Sequence, residues 1–155
     1  MQLVLLDLTQ LYFAVKRAKV VLNYAGLLKS LKTMARPFEE TTFLGFTAAN
    51  PNNERQNNFL DGLQDEGVHV IRYPAGSSPE DFTLEMSVFA ARSMTSKIVF
   101  VAEDPVLQRT IRWLDSVVPP TIVFFGDQLS PSWSPLILSG EVVFQEIREL
   151  GRITE

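Results

Sequence analysis

Leu3-Val4-Leu5-Leu6-Asp7 decides the fold: four consecutive apolar residues end on a carboxylate. A strand on a half-solvated sheet alternates apolar and polar residues, whereas an unbroken apolar run suits a strand covered on both faces of a parallel sheet. The same pattern returns in Ile98-Val99-Phe100-Val101-Ala102, followed by Glu103-Asp104, and in Ile122-Val123-Phe124-Phe125, followed by Gly126-Asp127. If these runs lie parallel, their acids share one edge of the sheet, where open α/β sheets bind ligands. Carboxylates crowded there repel one another unless a hard divalent cation such as Mg²⁺ neutralises them.

Between the runs the pattern changes period. Leu11, Phe13, Ala14, Val15 and Ala18 recur at roughly helical spacing, and Leu27, Leu28 and Leu31 predict a second helix from Tyr24 to Met34 that ends before Pro37. Thr41 to Phe46 is β-branched and aromatic, hence a strand. Asn50-Pro51-Asn52-Asn53 forms a turn with an N-cap for a helix from Glu54 to Asp65, which Gly67 stops. Val68 to Tyr73 follows as a strand, and Ser78-Pro79-Glu80-Asp81 opens a helix with serine as cap, proline in the first turn and acids at the positive end of the dipole. A helix from Pro105 to Ser116 precedes the strand at Thr121 to Phe125, and Val142-Val143-Phe144 reads as a short strand or extended segment. Strands alternating with helices predict an α/β three-layer sandwich with a mostly parallel five-stranded sheet. One domain over residues 1–147 with a peripheral tail at 148–155 accounts for the length of 155 residues.

Composition narrows the chemistry. The chain has no cysteine and a single histidine, so thiolate sites and histidine-rich zinc sites are excluded and any metal would be held by carboxylates. No apolar stretch approaches the roughly 18 residues of a membrane span. Met1-Gln2 enters the first strand without a basic leader, so a cytoplasmic protein with no membrane partner is expected. No glycine-rich phosphate loop is present. Net charge is −4, yet Lys16, Arg17, Lys19, Lys29, Lys32 and Arg36 fall in an acid-free stretch from Thr9 to Phe38. Such a basic lobe can steer a phosphate backbone, or it can be a solvated helix face.

Each acid also has a structural role open to it. Asp104 precedes Pro105 and can cap the following helix, Glu80 and Asp81 suit a first helical turn, and Asp127 suits a turn. Asp7 is harder to dismiss, because a carboxylate directly after four apolar residues must be capped, paired or coordinated.

The order and spacing of the motifs carry a resemblance. Leu5-Leu6-Asp7-Leu8-Thr9-Gln10, Asn52-Asn53-Glu54-Arg55-Gln56-Asn57-Asn58-Phe59-Leu60, Pro79-Glu80-Asp81-Phe82-Thr83-Leu84, Val99-Phe100-Val101-Ala102-Glu103-Asp104 and Leu129-Ser130-Pro131 together resemble the NYN group (LabA-like) of PIN-like nucleases, from residue 3 to about residue 146. The resemblance implies a PIN-like fold in which Asp7, Asp81 and Asp104 are catalytic and hold Mg²⁺ or Mn²⁺. It also implies cleavage of single-stranded RNA by an activated water, the general role of such ions. Gln10, Glu80, Glu85 and Glu103 would support the site, and Lys16, Arg17 and Lys19 would steer the RNA. The chain departs from the family where Gln10 replaces an asparagine, Ser87 and Val106 stand in place of acids, and Glu103 replaces a small residue. The alternative is a degenerate NYN-fold module that binds RNA or a protein partner without cleavage, and a homo-oligomer is equally open. His69 reads as a packed or surface residue and Trp113, beside Ile111 and Leu114, as a core residue; Tyr12 and Trp133 are placed for base stacking, with packing the more expected role for both.

Overall fold

The computed structural model describes residues 2–18, 21–35, 38–48, 50, 52–92, 97–102, 104–105, 107–113, 120–124, 130–140, 143–146 and 153–154. The elements run β1 (Gln2–Asp7), α1 (Leu8–Ala18), β2 (Val21–Leu22), α2 (Tyr24–Ala35), β3 (Thr41–Ala48), α3 (Glu54–Asp65), β4 (Val68–Tyr73) and α4 (Pro79–Arg92). After them come β5 (Lys97–Val101), α5 (Leu107–Trp113), β6 (Thr121–Phe124), a 3-10 turn at Pro131–Trp133, α6 (Ser134–Leu138), β7 (Val143–Glu146) and β8 (Ile153–Thr154).

β1 lies at the centre because it can be buried on every side, and each of its six residues is. The amide nitrogen of its polar opening residue is bonded: Gln2 Nε2 donates to Thr41 Oγ1 at 2.7 Å. Around it the sheet takes the order β4-β3-β1-β5-β6-β7, and every pairing in it is parallel. The expected α/β three-layer architecture with a parallel sheet is thus present, and β7 adds a sixth strand at the edge beside the five expected. β2 and β8 form a separate antiparallel pair.

Alternate residues of β1 divide the core. Val4 and Leu6 face one helical layer through Leu8 and Leu11 of α1, Leu27 and Leu31 of α2, and Phe59, Leu60 and Leu63 of α3. Leu3 and Leu5 face the other through Phe82, Met86 and Ala90 of α4 and Leu107 and Ile111 of α5, together with Trp133 and Leu136. The period-2 alternation of a strand therefore sends its apolar run into both layers.

At Gly45 the sheet backbone meets α1 closely: an added Cβ would collide with the side chain of Leu8. Glycine on β3 lets the first residue of α1 seat against the sheet, which fixes where that helix starts. α3 is delimited as its sequence predicts: Asn53 Oδ1 accepts from Gln56 N at 3.0 Å, and Gly67 follows the helix at φ 107°. α1 starts at Leu8, directly after Asp7, which supplies the cap. The expected far end of α5 lies outside the described residues, as do residues 93–96 after α4.

Candidate functional site: the sheet switch point and the two faces of α4

Strand order reverses between β1 and β5, with β3 and β4 on one side and β6 and β7 on the other. The crevice beyond the carboxyl ends of such strands is the place where a doubly wound sheet receives a ligand. Asp7 closes β1, and Asp104 follows β5 by three residues, so both stand at this edge. The sequence expectation that these acids share one edge is met in the fold.

Their local bonding is that of helix starts. Asp7 is fully buried, and its Oδ1 accepts the backbone N–H of Gln10 at 3.0 Å, which caps α1. Gln10 thus meets Asp7 through its main chain. Beside it, Thr9 Oγ1 lies 3.0 Å from Thr47 Oγ1 and accepts from Ala48 N at 3.1 Å, tying the first turn of α1 to the end of β3. Asp104 is half-buried, and its backbone carbonyl accepts from Leu107 N at 3.0 Å as α5 begins.

Asp81 is exposed. Its Oδ2 accepts the backbone N–H of Ser78 at 3.2 Å, the return half of a capping box at the start of α4. With about 3.6 residues per turn, Asp81 shares a face with Leu84, Glu85, Val88 and Arg92, while Phe82, Met86 and Ala90 point into the core. From α4, Thr83 Oγ1 donates to Asp104 Oδ2 at 3.4 Å. One turn on, Ser87 Oγ donates to the Thr83 carbonyl at 2.8 Å, and Thr110 Oγ1 of α5 donates to Ser87 Oγ. Thr83, Ser87 and Thr110 are all buried. A chain of hydroxyls thus fills the space between α4, α5 and Asp104.

The fit to a divalent cation can be tested on this geometry. Among the described residues no group of three or more Asp, Glu or His side chains is arranged to hold a metal ion. Asp7, Asp81 and Asp104 therefore do not assemble as the ligand set that the resemblance implies, and the reason is helical phase: Asp81 sits on the side of α4 opposite Thr83. Glu85, four residues after Asp81, is exposed on that same outer side and does not compensate. Glu103, Lys19, Val106 and Asp127, and the side chains of Glu80 and Trp113, lie outside the described residues.

The outer face has its own electrostatics. Tyr73, at the end of β4, has its phenol pushed well above the ordinary tyrosine value, first by burial, then by Glu85 and then by the charge of Asp81. Its hydroxyl is buried and makes no hydrogen bond of normal geometry.

The basic residues fall elsewhere. Lys16 and Arg17 are exposed in the last turn of α1, and Lys29 is exposed on α2. Phe13, 44% exposed, lies three and four residues before Lys16 and Arg17 and so shares their face. Tyr12 and Trp133 are buried, at 7% and 0% exposure, so packing is their role, and His69 is exposed on β4. Sequence reasoning passed over Phe13, Thr83 and Thr110. The signal for Thr83 was a pair of hydroxyls four residues apart, with Ser87, on a helix whose other inward residues are apolar.

No known family model and no curated protein matches this chain. In three dimensions it is similar to the crystal structure of a protein of unknown function from Vibrio parahaemolyticus, with a TM-score of 0.64 and 16% identity over 94% of this chain and 91% of that one. That similarity concerns the fold alone. No helix among the described residues is long and apolar enough to cross a membrane.

Proposed function

We propose that this chain is a NYN-like module that binds single-stranded RNA without cleaving it, acting in the cytoplasm. The observation that carries this reading is the orientation of α4: it turns the hydroxyl of Thr83 toward Asp104 and leaves Asp81 and Glu85 exposed on its outer side. Mg²⁺ takes oxygen ligands in near-octahedral geometry and is held by carboxylates plus substrate phosphate. Among the described residues Asp7 Oδ1 accepts from Gln10 N and Asp104 Oδ2 accepts from Thr83 Oγ1, and no third Asp, Glu or His side chain joins these two carboxylates as a ligand set.

RNA binding is supported by the acid-free lobe. Lys16, Arg17 and Lys29 project from α1 and α2 and make no ion pair with the described residues, so their charge is available to phosphates. The half-exposed ring of Phe13 beside them offers a stacking surface, which is sequence-tolerant because every base has a π face. The placement of Lys16 and Arg17 in a last helical turn is also favourable to the helix dipole, a contribution of about 0.3–1 kcal/mol that does not consume their hydrogen bonds.

Fluorescence anisotropy with a labelled single-stranded RNA in a chelating buffer tests the reading. Affinity is expected to fall steeply with salt and to drop on the order of tenfold in Lys16→Glu/Arg17→Glu, with Phe13→Ala weakening it less. Asp7→Asn is expected to bind as wild type does. Binding that appears only with added Mg²⁺ or Mn²⁺, or that ignores the charge reversal, contradicts it.

A further inference from the structure

α4 carries an exposed apolar stripe. Among the described residues Leu84, Val88 and Phe89 are 55%, 47% and 38% exposed, three of the seven large apolar side chains left open to solvent. With Asp81, Glu85 and Arg92 they are the described residues that line a groove of about 600 Å³. Phe89 is held in place at its base by Phe46, 5.8 Å away between ring centroids. Contiguous apolar surface with a polar rim marks an interaction site.

The distribution of charge along this face identifies the partner. Asp81 and Glu85 occupy the amino-terminal part of the groove and Arg92 the carboxyl-terminal end. Arg92 makes no ion pair with any described residue. Glu85 and Arg92 are seven residues apart, two helical turns, so they lie on one face about 10 Å from each other along the axis. A two-fold axis between Val88 and Phe89 would set a second α4 antiparallel to the first. Glu85 of each copy then faces Arg92 of the other, and Val88 of each packs against Phe89 of the other. An interface that satisfies residue i with residue j and residue j with residue i is what a closed two-fold dimer requires.

We propose that the outer face of α4 is a self-complementary surface that pairs with a second copy of this chain, helices antiparallel. The proposal does not depend on RNA binding, because Lys16, Arg17 and Phe13 belong to α1 in the opposite helical layer. A single helix face is at the small end of stable interfaces, so the dimer is of roughly micromolar strength.

Sedimentation velocity on the full chain, up to high micromolar concentration, tests it. The wild type is expected to dimerise, while Glu85→Arg and Arg92→Glu each weaken the dimer by roughly tenfold or more by facing like charges. Because both residues are exposed, circular dichroism of each variant should match wild type. The double variant Glu85→Arg/Arg92→Glu restores both pairs and should dimerise again. Mixing the two single variants should give a heterodimer, since one chain then carries two cations and the other two anions at the paired positions. A monomeric wild type, single variants that dimerise unchanged, or a mixture that stays monomeric would each overturn the proposal, the second by placing the contact on another surface.

Discussion

The two faces of α4 have the same backbone and opposite chemistry. The inner face is apolar with two buried hydroxyls, Thr83 and Ser87, and the outer face carries Asp81, Glu85 and Arg92 around exposed Leu84 and Val88. On this helix the identity of an acid counts for less than its helical phase. One residue of shift along the helix moves a side chain by roughly a quarter turn or more, enough to exchange a place beside Asp104 for a place in solvent.

Truncations separate the faces most strongly. Phe82→Ala, at a fully buried ring, should cost about 3–5 kcal/mol in denaturant unfolding, whereas Leu84→Ala, at low protein concentration, should stay within about 0.5 kcal/mol. Equal losses would show that the faces are not distinct. Ser87→Ala should cost about 1–3 kcal/mol, because it leaves the Thr110 hydroxyl buried without its acceptor. Adding Thr110→Val removes that orphan, and the double variant should be less destabilised than the two single effects combined. Strict additivity would argue against a hydroxyl chain. Asp81→Ala removes the capping-box acceptor and should cost about 1 kcal/mol in the same unfolding experiment.

The smallest effect is expected at Tyr73. Its raised pKa means that the folded state holds the phenolic proton more tightly than the unfolded chain does. That contribution is fully present below about pH 10 and fades as pH rises above it. Tyr73→Phe should therefore leave stability at neutral pH almost unchanged and flatten its alkaline decline; an unaltered alkaline limb would mean that the hydroxyl does not face Glu85 and Asp81.

Much of the fold was legible because period and position agreed. Leu3 to Leu6 and Ile98 to Ala102 have the unbroken apolar character of central parallel strands, and Asn53 and Gly67 bracket α3 by cap chemistry that acts within a few residues. The sixth strand was only half legible, since Val142-Val143-Phe144 is too short for periodicity to separate a strand from an extended segment. The site was less legible for a different reason. Asp7 and Asp104 could be placed on one edge from their positions at strand ends, but the rotation of α4 depends on how Phe82, Met86 and Ala90 pack under the sheet. That packing turns Asp81 outward, and Thr83, with no motif to announce it, meets Asp104 instead.

The central claim is RNA binding without cleavage, and the most direct measurement is the fate of the RNA itself. An end-labelled single-stranded RNA incubated with excess wild-type protein in Mn²⁺, with Asp7→Asn and Asp104→Asn in parallel, is resolved on a denaturing gel. Intact RNA is expected in all three lanes while anisotropy reports it bound. Metal-dependent fragments produced by the wild type and absent from both variants would contradict it.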